Sequence, residues 1–103
     1  MKYYDKEIVV QVIDMFLEQY PSRLSDLQAD ISEMDFYKID NHAHSLKGEV
    51  TYMSAELADI ARRLEFKGKE RDSSGVQELL DTLAAGIPAL ANELMDLKKE
   101  YQS

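Results

Sequence analysis

The stretch FYKIDNHAHSLKGEVTYMSAELADIARRL, residues 36–64, decides the fold. One set of its apolar residues recurs at alternating steps of three and four, which is typical of α-helices and not of strands. By periodicity alone this is one helix or two helices in register. Ser54 is a suitable N-cap residue for a second segment, so we expect a bend near residues 53–55. The stripe consists of Phe36, Ile39, Ala43, Leu46, Val50, Met53, Leu57, Ile60 and Leu64.

The segment upstream of this stretch shows the same helical period. A first helix is predicted from about Lys6 to Tyr20, and Pro21 predicts its boundary because proline suits a first turn and not a helix interior. A second helix follows and ends before Asp35, whose side chain can cap the next helix. The two apolar stripes are Val9, Ile13, Phe16 and Tyr20, then Leu24, Leu27, Ile31 and Met34.

The segment downstream begins with FKGKERDSSG, residues 66–75, whose glycines and serines predict a solvated loop. Ser74 and Gln77 have the spacing of a capping box that would open the last helix. Pro88 predicts a kink or a split in that helix. Methionines at or near apolar positions are predicted to fill the core, namely Met15, Met34, Met53 and Met95.

Length and composition favour one helical domain. The chain has 103 residues, which predicts a single domain over 1–103. Short connections between amphipathic helices imply antiparallel neighbours. We therefore expect an all-α fold, an antiparallel four-helix bundle with a short extra N-terminal helical element.

Composition also excludes several functions. The chain contains no cysteine, so it has no disulfide, no thiolate nucleophile and no sulfur-based zinc site. Its formal charge of −8 opposes binding to nucleic acid. No apolar run approaches the length of a membrane span. We expect a cytoplasmic protein.

Two histidines lie close together in the sequence, at His42 and His44. On a helix they are about 160° apart, so they cannot hold one metal ion together from a single helix. The H-E-x-x-H spacing of a helical metal site is absent. His44 faces away from the apolar stripe, whereas His42 flanks the stripe and is predicted to be a boundary residue.

Lys47 and Gly48 are the neighbours of His44 on the helix surface, at i+3 and i+4. A glycine in a helix interior costs about 0.8 to 1 kcal/mol relative to alanine. At position 48 it leaves open space beside the imidazole, where any side chain would obstruct a bulky partner. The pattern predicts an exposed imidazole with free access on one side and an ammonium group on the other.

The hexapeptide AHSLKG, residues 43–48, resembles the A-H-x-L-K-G signature of the histidine-containing phosphotransfer (HPt) domain of multistep phosphorelays. The resemblance extends beyond this motif. Asp35 matches an acidic residue upstream of the motif, and Met53 with Ser54 matches an apolar-small pair before the next helix. The size and helical layout of the chain also fit that family.

The resemblance implies that His44 accepts a phosphoryl group from the aspartyl phosphate of a response-regulator receiver domain and passes it on. Lys47 would stabilise the phosphate, and Gly48 would allow the receiver to approach. Ser45, Thr51 and Tyr52 would belong to the docking surface.

The resemblance further implies a phosphocarrier and not an independent enzyme, with no catalytic residue and no metal ligand of its own. No cofactor is expected in the chain, because Mg²⁺ is bound by the partner receiver. Expected partners are receiver domains or a hybrid histidine kinase, and not nucleic acid or membrane. We expect a monomer, and the initiating Met with the absence of a linker favours a free-standing protein.

Three positions depart from the family pattern. Glu49 and Val50 follow the glycine where the family usually has small residues, and Ser54 stands where it often has a second glycine. Val50 lies on the inward stripe, but Glu49 and Ser54 keep a second hypothesis open, in which the same fold is a non-phosphorylated adaptor that binds a receiver or another signalling partner. Glu49 is expected to point away from the phosphate and towards a partner.

Overall fold

The computed structural model describes residues 6–51 and 53–102, and the side chains of all but the first and last of these. This part of the chain forms four α-helices and no strand: α1 (Lys6–Ser32), α2 (Phe36–Val50), α3 (Ala55–Glu70) and α4 (Val76–Gln102). α2 packs against α3 and α1, and α4 packs against α1 and α3. The predicted all-α bundle is confirmed.

The helices run antiparallel around a single apolar core. Contacts between α1 and α4 join Gln28 to Gln77 at one end and Asp14 to Lys98 at the other, so these two helices run in opposite directions. All four helices contribute buried side chains. The largest fully buried ones are Leu27, Ile39, Leu46, Val50, Leu64, Leu83 and Ile87.

The predicted boundary at Pro21 is wrong, because α1 continues through it. An interior proline removes one backbone hydrogen bond and costs about 3 kcal/mol. The apolar stripe keeps its phase across Pro21, with Phe16 buried before it and Leu27 buried after it. Burial on both sides therefore outweighs the local cost, and the two predicted helices are one.

The starts of α2 and α3 are capped by the residues that the sequence predicts. Asp35 precedes α2, and its Oδ1 accepts a hydrogen bond from the Lys38 backbone N–H at 3.2 Å. Ser54 precedes α3, and its Oγ accepts from the Leu57 N–H at 3.2 Å. α2 ends at Val50 and a separate helix begins at Ala55, which agrees with the bend expected near residues 53–55.

Gly68 lies inside α3 and not in the predicted loop, because the helix extends to Glu70. The residue is buried against α2. A Cβ atom at this position would stand 2.6 Å from the backbone N of Asp40 and 2.9 Å from the carbonyl O of Phe36. Gly68 thus sets how closely α2 and α3 approach each other.

Two further expectations concern the last helix. The split predicted at Pro88 is wrong, because α4 is continuous, whereas the alternative of a kink stays a prediction. The capping box does not form either: the Ser74 Oγ donates to Asp72 at 2.7 Å, and the Gln77 amide donates to Asp81 at 2.9 Å. Gly75, with φ of +76°, turns the chain into α4 instead.

Three of the four methionines predicted to fill the core are exposed: Met15, Met34 and Met95. Met53 is partly buried against the core, as expected. Within residues 6–51 and 53–102, no helix is both long enough and apolar enough to cross a bilayer.

Candidate functional site

The face of α2 that points away from the core carries His44. Its neighbours Ala43 and Leu46 are fully buried, while the His44 side chain is 66 % exposed. Lys47 and Gly48 follow at one helical turn, and Gly48 is exposed. The orientation predicted for all three residues is confirmed.

Glu65 on α3 contacts the side chains of both His44 and Lys47 on α2. His44 Nδ1 lies 2.8 Å from Glu65 Oε2, and Lys47 Nζ donates to Glu65 Oε1 at 2.9 Å. The Glu65 side chain is only 8 % exposed. Burial raises the pKa of Glu65, but the hydrogen bonds and charges of Lys47 and His44 outweigh it and hold that pKa below its usual value.

The ionised Glu65 determines which nitrogen of His44 is available. A carboxylate can only accept hydrogen bonds, so Nδ1 of the neutral imidazole carries the proton. The lone pair is then on Nε2, at the opposite edge of an exposed ring. The α3 carboxylate therefore orients the imidazole and leaves the lone pair of Nε2 free of a partner on Glu65.

Lys69 adds a second positive charge next to this cluster. Its Nζ is 3.0 Å from Asp40 Oδ1 and 3.8 Å from the Glu65 oxygen that contacts His44. The hydrogen bond with Asp40, together with the charges of Asp40 and Glu65, holds the pKa of Lys69 above its usual value. Glu65 thus brings His44 together with two lysine side chains, those of Lys47 and Lys69.

Gly48 has no packing reason to be glycine. A Cβ atom built there would meet no other atom within 4 Å. This contrasts with Gly68, where backbone atoms leave no room for a side chain. No close contact in the described part of the chain offsets the free energy that glycine costs in a helix here. The space beside Gly48 is open to solvent.

A groove of about 280 Å³ between α1 and α2 begins at Gly48. Val12 and Met15 on α1 line it and are largely exposed, and Ile8 continues their stripe one turn further. An exposed apolar stripe beside an open helix face is typical of a protein interaction site.

Glu49 also lines this groove, but its carboxylate is held by α1. The Arg23 Nε–H lies between the two Glu49 oxygens, at 3.1 and 3.2 Å. As expected, Glu49 does not point towards His44. It is paired with Arg23 within the chain and is not a free charge.

His42 occupies a structural position, as predicted for a boundary residue. Its side chain is half-buried, and Nδ1 contacts the carboxylate of Asp30 on α1, which is buried. A buried carboxylate needs such a partner. His42 therefore joins α2 to α1, on the side away from the cluster of Glu65.

The remaining predicted docking residues have different environments. Ser45 is half-buried and Thr51 is exposed. At the end of α2, the hydroxyl and the backbone N–H of Thr51 both donate to the carbonyl of Lys47. Tyr52 lies outside the described residues.

A family model described as the Hpt domain matches residues 11–98. The chain belongs to the Hpt domain family. Searches of curated proteins and of solved structures return no significant match. Hpt domains act in histidine phosphotransfer within phosphorelays, as phosphocarriers that interact with receiver domains and histidine kinases.

Sequence reasoning missed three residues of this Hpt domain that the bundle brings to the site: Glu65, Lys69 and Arg23. One signal for Glu65 was present. It flanks the buried stripe of α3, and in an antiparallel hairpin it lies within about one helical turn of His44.

In the described part of the chain, no three His, Asp or Glu side chains are grouped to hold a metal ion.

Proposed function

We propose that this Hpt domain carries a phosphoryl group on Nε2 of His44 between receiver domains. The observation that carries the proposal is the contact of His44 Nδ1 with the buried carboxylate of Glu65, at 2.8 Å. This contact turns a solvent-exposed histidine into an oriented nucleophile. The adjacent Lys47 and the open position at Gly48 supply positive charge and access.

The transfer step needs little from this chain. The Nε2 lone pair attacks the phosphorus of the receiver's aspartyl phosphate, the phosphorus–oxygen bond breaks, and the aspartate carboxylate leaves with the electron pair. Nδ1 keeps its proton, so the phosphorylated ring is cationic and Glu65 stabilises its charge. Phosphoryl transfer depends chiefly on in-line positioning and charge neutralisation. We assign the Mg²⁺ to the receiver.

We further propose that receivers dock across α1 and α2. The exposed stripe of Ile8, Val12 and Met15 would bury apolar surface on one side of Gly48. Ser45 and Thr51, on the same helix as His44, would lie at the edge of that contact. We propose that the carrier is a monomer, because this stripe is then free for receivers, and that it meets them in the cytoplasm.

The proposal is tested by incubating the chain with a receiver domain that carries a labelled aspartyl phosphate. We expect the wild type to gain acid-labile, alkali-stable label and His44→Gln to gain none. His42→Gln is the matched control, since its amide can still donate to Asp30, and it should be labelled like the wild type. Circular dichroism shows whether each variant remains helical.

The adaptor hypothesis makes the opposite prediction in the same assay. Its support was Glu49 and Ser54, which depart from the family pattern. Ser54 is used as the cap of α3, and Glu49 is paired with Arg23, so neither blocks His44. Receivers that bind tightly and never transfer label would nevertheless establish the adaptor function.

Glu65→Gln is expected to slow phosphoryl transfer about tenfold to hundredfold, by analogy with the loss seen when the group that orients a metal-binding histidine is removed. Glutamine is similar in shape but neutral, and its amide can meet Nδ1 with either its oxygen or its nitrogen. The ¹⁵N spectrum of His44 should change from one Nδ1-protonated form to a mixture of tautomers.

The control for this variant is Glu70→Gln, which removes one acidic charge from the exposed face of α3. It should keep both the wild-type rate and the single tautomer. A wild-type transfer rate in Glu65→Gln, despite mixed tautomers, would show that Glu65 does not prepare His44 for reaction.

A further inference from the structure

The groove beside Gly48 contains one carboxylate among mostly apolar residues. Val12, Met15, Phe16 and Met53 supply the apolar lining, and Glu49 supplies the charge. A partner that covers this groove removes water from Glu49. Desolvating a carboxylate without a partner is costly, so an unpaired Glu49 would oppose binding of an apolar surface.

Arg23 removes this obstacle. It reaches from α1 and places its Nε–H 3.1 and 3.2 Å from the two carboxylate oxygens of Glu49. The pair remains partly exposed, with side-chain exposures of 32 % for Arg23 and 24 % for Glu49. Glu49 lines the groove, so a docked partner would cover Glu49 while its carboxylate is held by Arg23.

We propose that Arg23 is a positioning residue for partner selection. It neutralises Glu49 and thereby makes the groove accept an uncharged, apolar side chain of the receiver. This inference rests on the proposed function, because it assumes that receivers dock beside Gly48. A receiver that presents such an apolar side chain would lose affinity when Glu49 is left unpaired.

The test compares the wild type with Arg23→Gln, Glu49→Gln and the double variant. Both single substitutions break the ion pair, so any cost to the fold is common to them. Only Arg23→Gln leaves a free carboxylate in the groove. The design therefore separates the charge of Glu49 from the stability of the α1–α2 contact.

The probe is a receiver domain that labels the wild-type chain, titrated in its unphosphorylated form by calorimetry. We expect Arg23→Gln to bind about tenfold more weakly, and both Glu49→Gln and the double variant to stay within about twofold of the wild type. In single-turnover transfer, Arg23→Gln should raise the half-saturating receiver concentration and leave the limiting rate unchanged.

Three results would overturn the inference. Equal weakening in both single variants would assign the pair a structural role. A double variant as weak as Arg23→Gln would mean that Arg23 itself contacts the receiver. Wild-type affinity in Arg23→Gln would mean that the groove is not used. Failure of the proposed function is distinct, because the wild type would then gain no label on His44.

Discussion

Gly68→Ala is expected to lower the free energy of unfolding by about 1 to 2 kcal/mol. The added Cβ would stand 2.6 Å from the backbone N of Asp40 and 2.9 Å from the carbonyl O of Phe36. Backbone atoms cannot rotate away, so α2 and α3 must separate, and the cost lies in the upper part of the roughly 1 to 3 kcal/mol range for overpacking. The roughly 1 kcal/mol that alanine gains over glycine in a helix offsets only part of it.

Urea denaturation followed by circular dichroism measures the effect. Gly48→Ala is the matched control, because it gains the same helix propensity where a Cβ meets no atom within 4 Å. It should raise the free energy of unfolding by about 0.8 to 1 kcal/mol. A Gly68→Ala chain as stable as Gly48→Ala would contradict the close approach of α2 and α3.

Gly48→Gln is expected to stabilise the fold, unlike Gly68→Ala, and to weaken binding to receivers. Glutamine is a good helix former and position 48 is open, so the free energy of unfolding should rise by about 0.5 kcal/mol. Its side chain would occupy the space beside His44. Receiver affinity should fall about thirtyfold or more, equivalent to the ~2 kcal/mol of an interface hot spot.

Calorimetric titration with an unphosphorylated receiver measures this loss. Thr82→Gln provides a comparison, since it adds the same side chain to an exposed position of α4. It should leave affinity unchanged. If Gly48→Gln binds and transfers like the wild type, clearance beside His44 is not the reason for the glycine.

The helical fold could be predicted from the sequence where apolar periodicity was continuous. The stripe from Phe36 to Leu64 indicated both α2 and α3, and Ser54 indicated the turn between them. Pro21 and Gly68 were misread because their local preferences were given more weight than packing. Both lie in helices whose buried stripes continue past them, and Gly68 is required by a contact with α2 that no local pattern reveals.

In the candidate site, too, the sequence predicted what lies on one helix and not the contacts between helices. His44, Lys47 and Gly48 lie on one helix, so their spacing alone fixed their common face. Glu65 and Arg23 contact that face from α3 and α1. Their roles depend on how the helices pack, and the sequence alone did not specify which acidic or basic residues would meet across each pair.

The most direct measurement locates the phosphate on the labelled chain. NMR of ¹⁵N-histidine-labelled protein after transfer should show phosphorus coupled to Nε2 of His44, with Nδ1 still protonated next to Glu65. Phosphate on Nδ1, on His42 or on another residue would contradict the proposed role of Glu65 and His44. So would a wild-type chain that binds phosphorylated receivers and never gains phosphate.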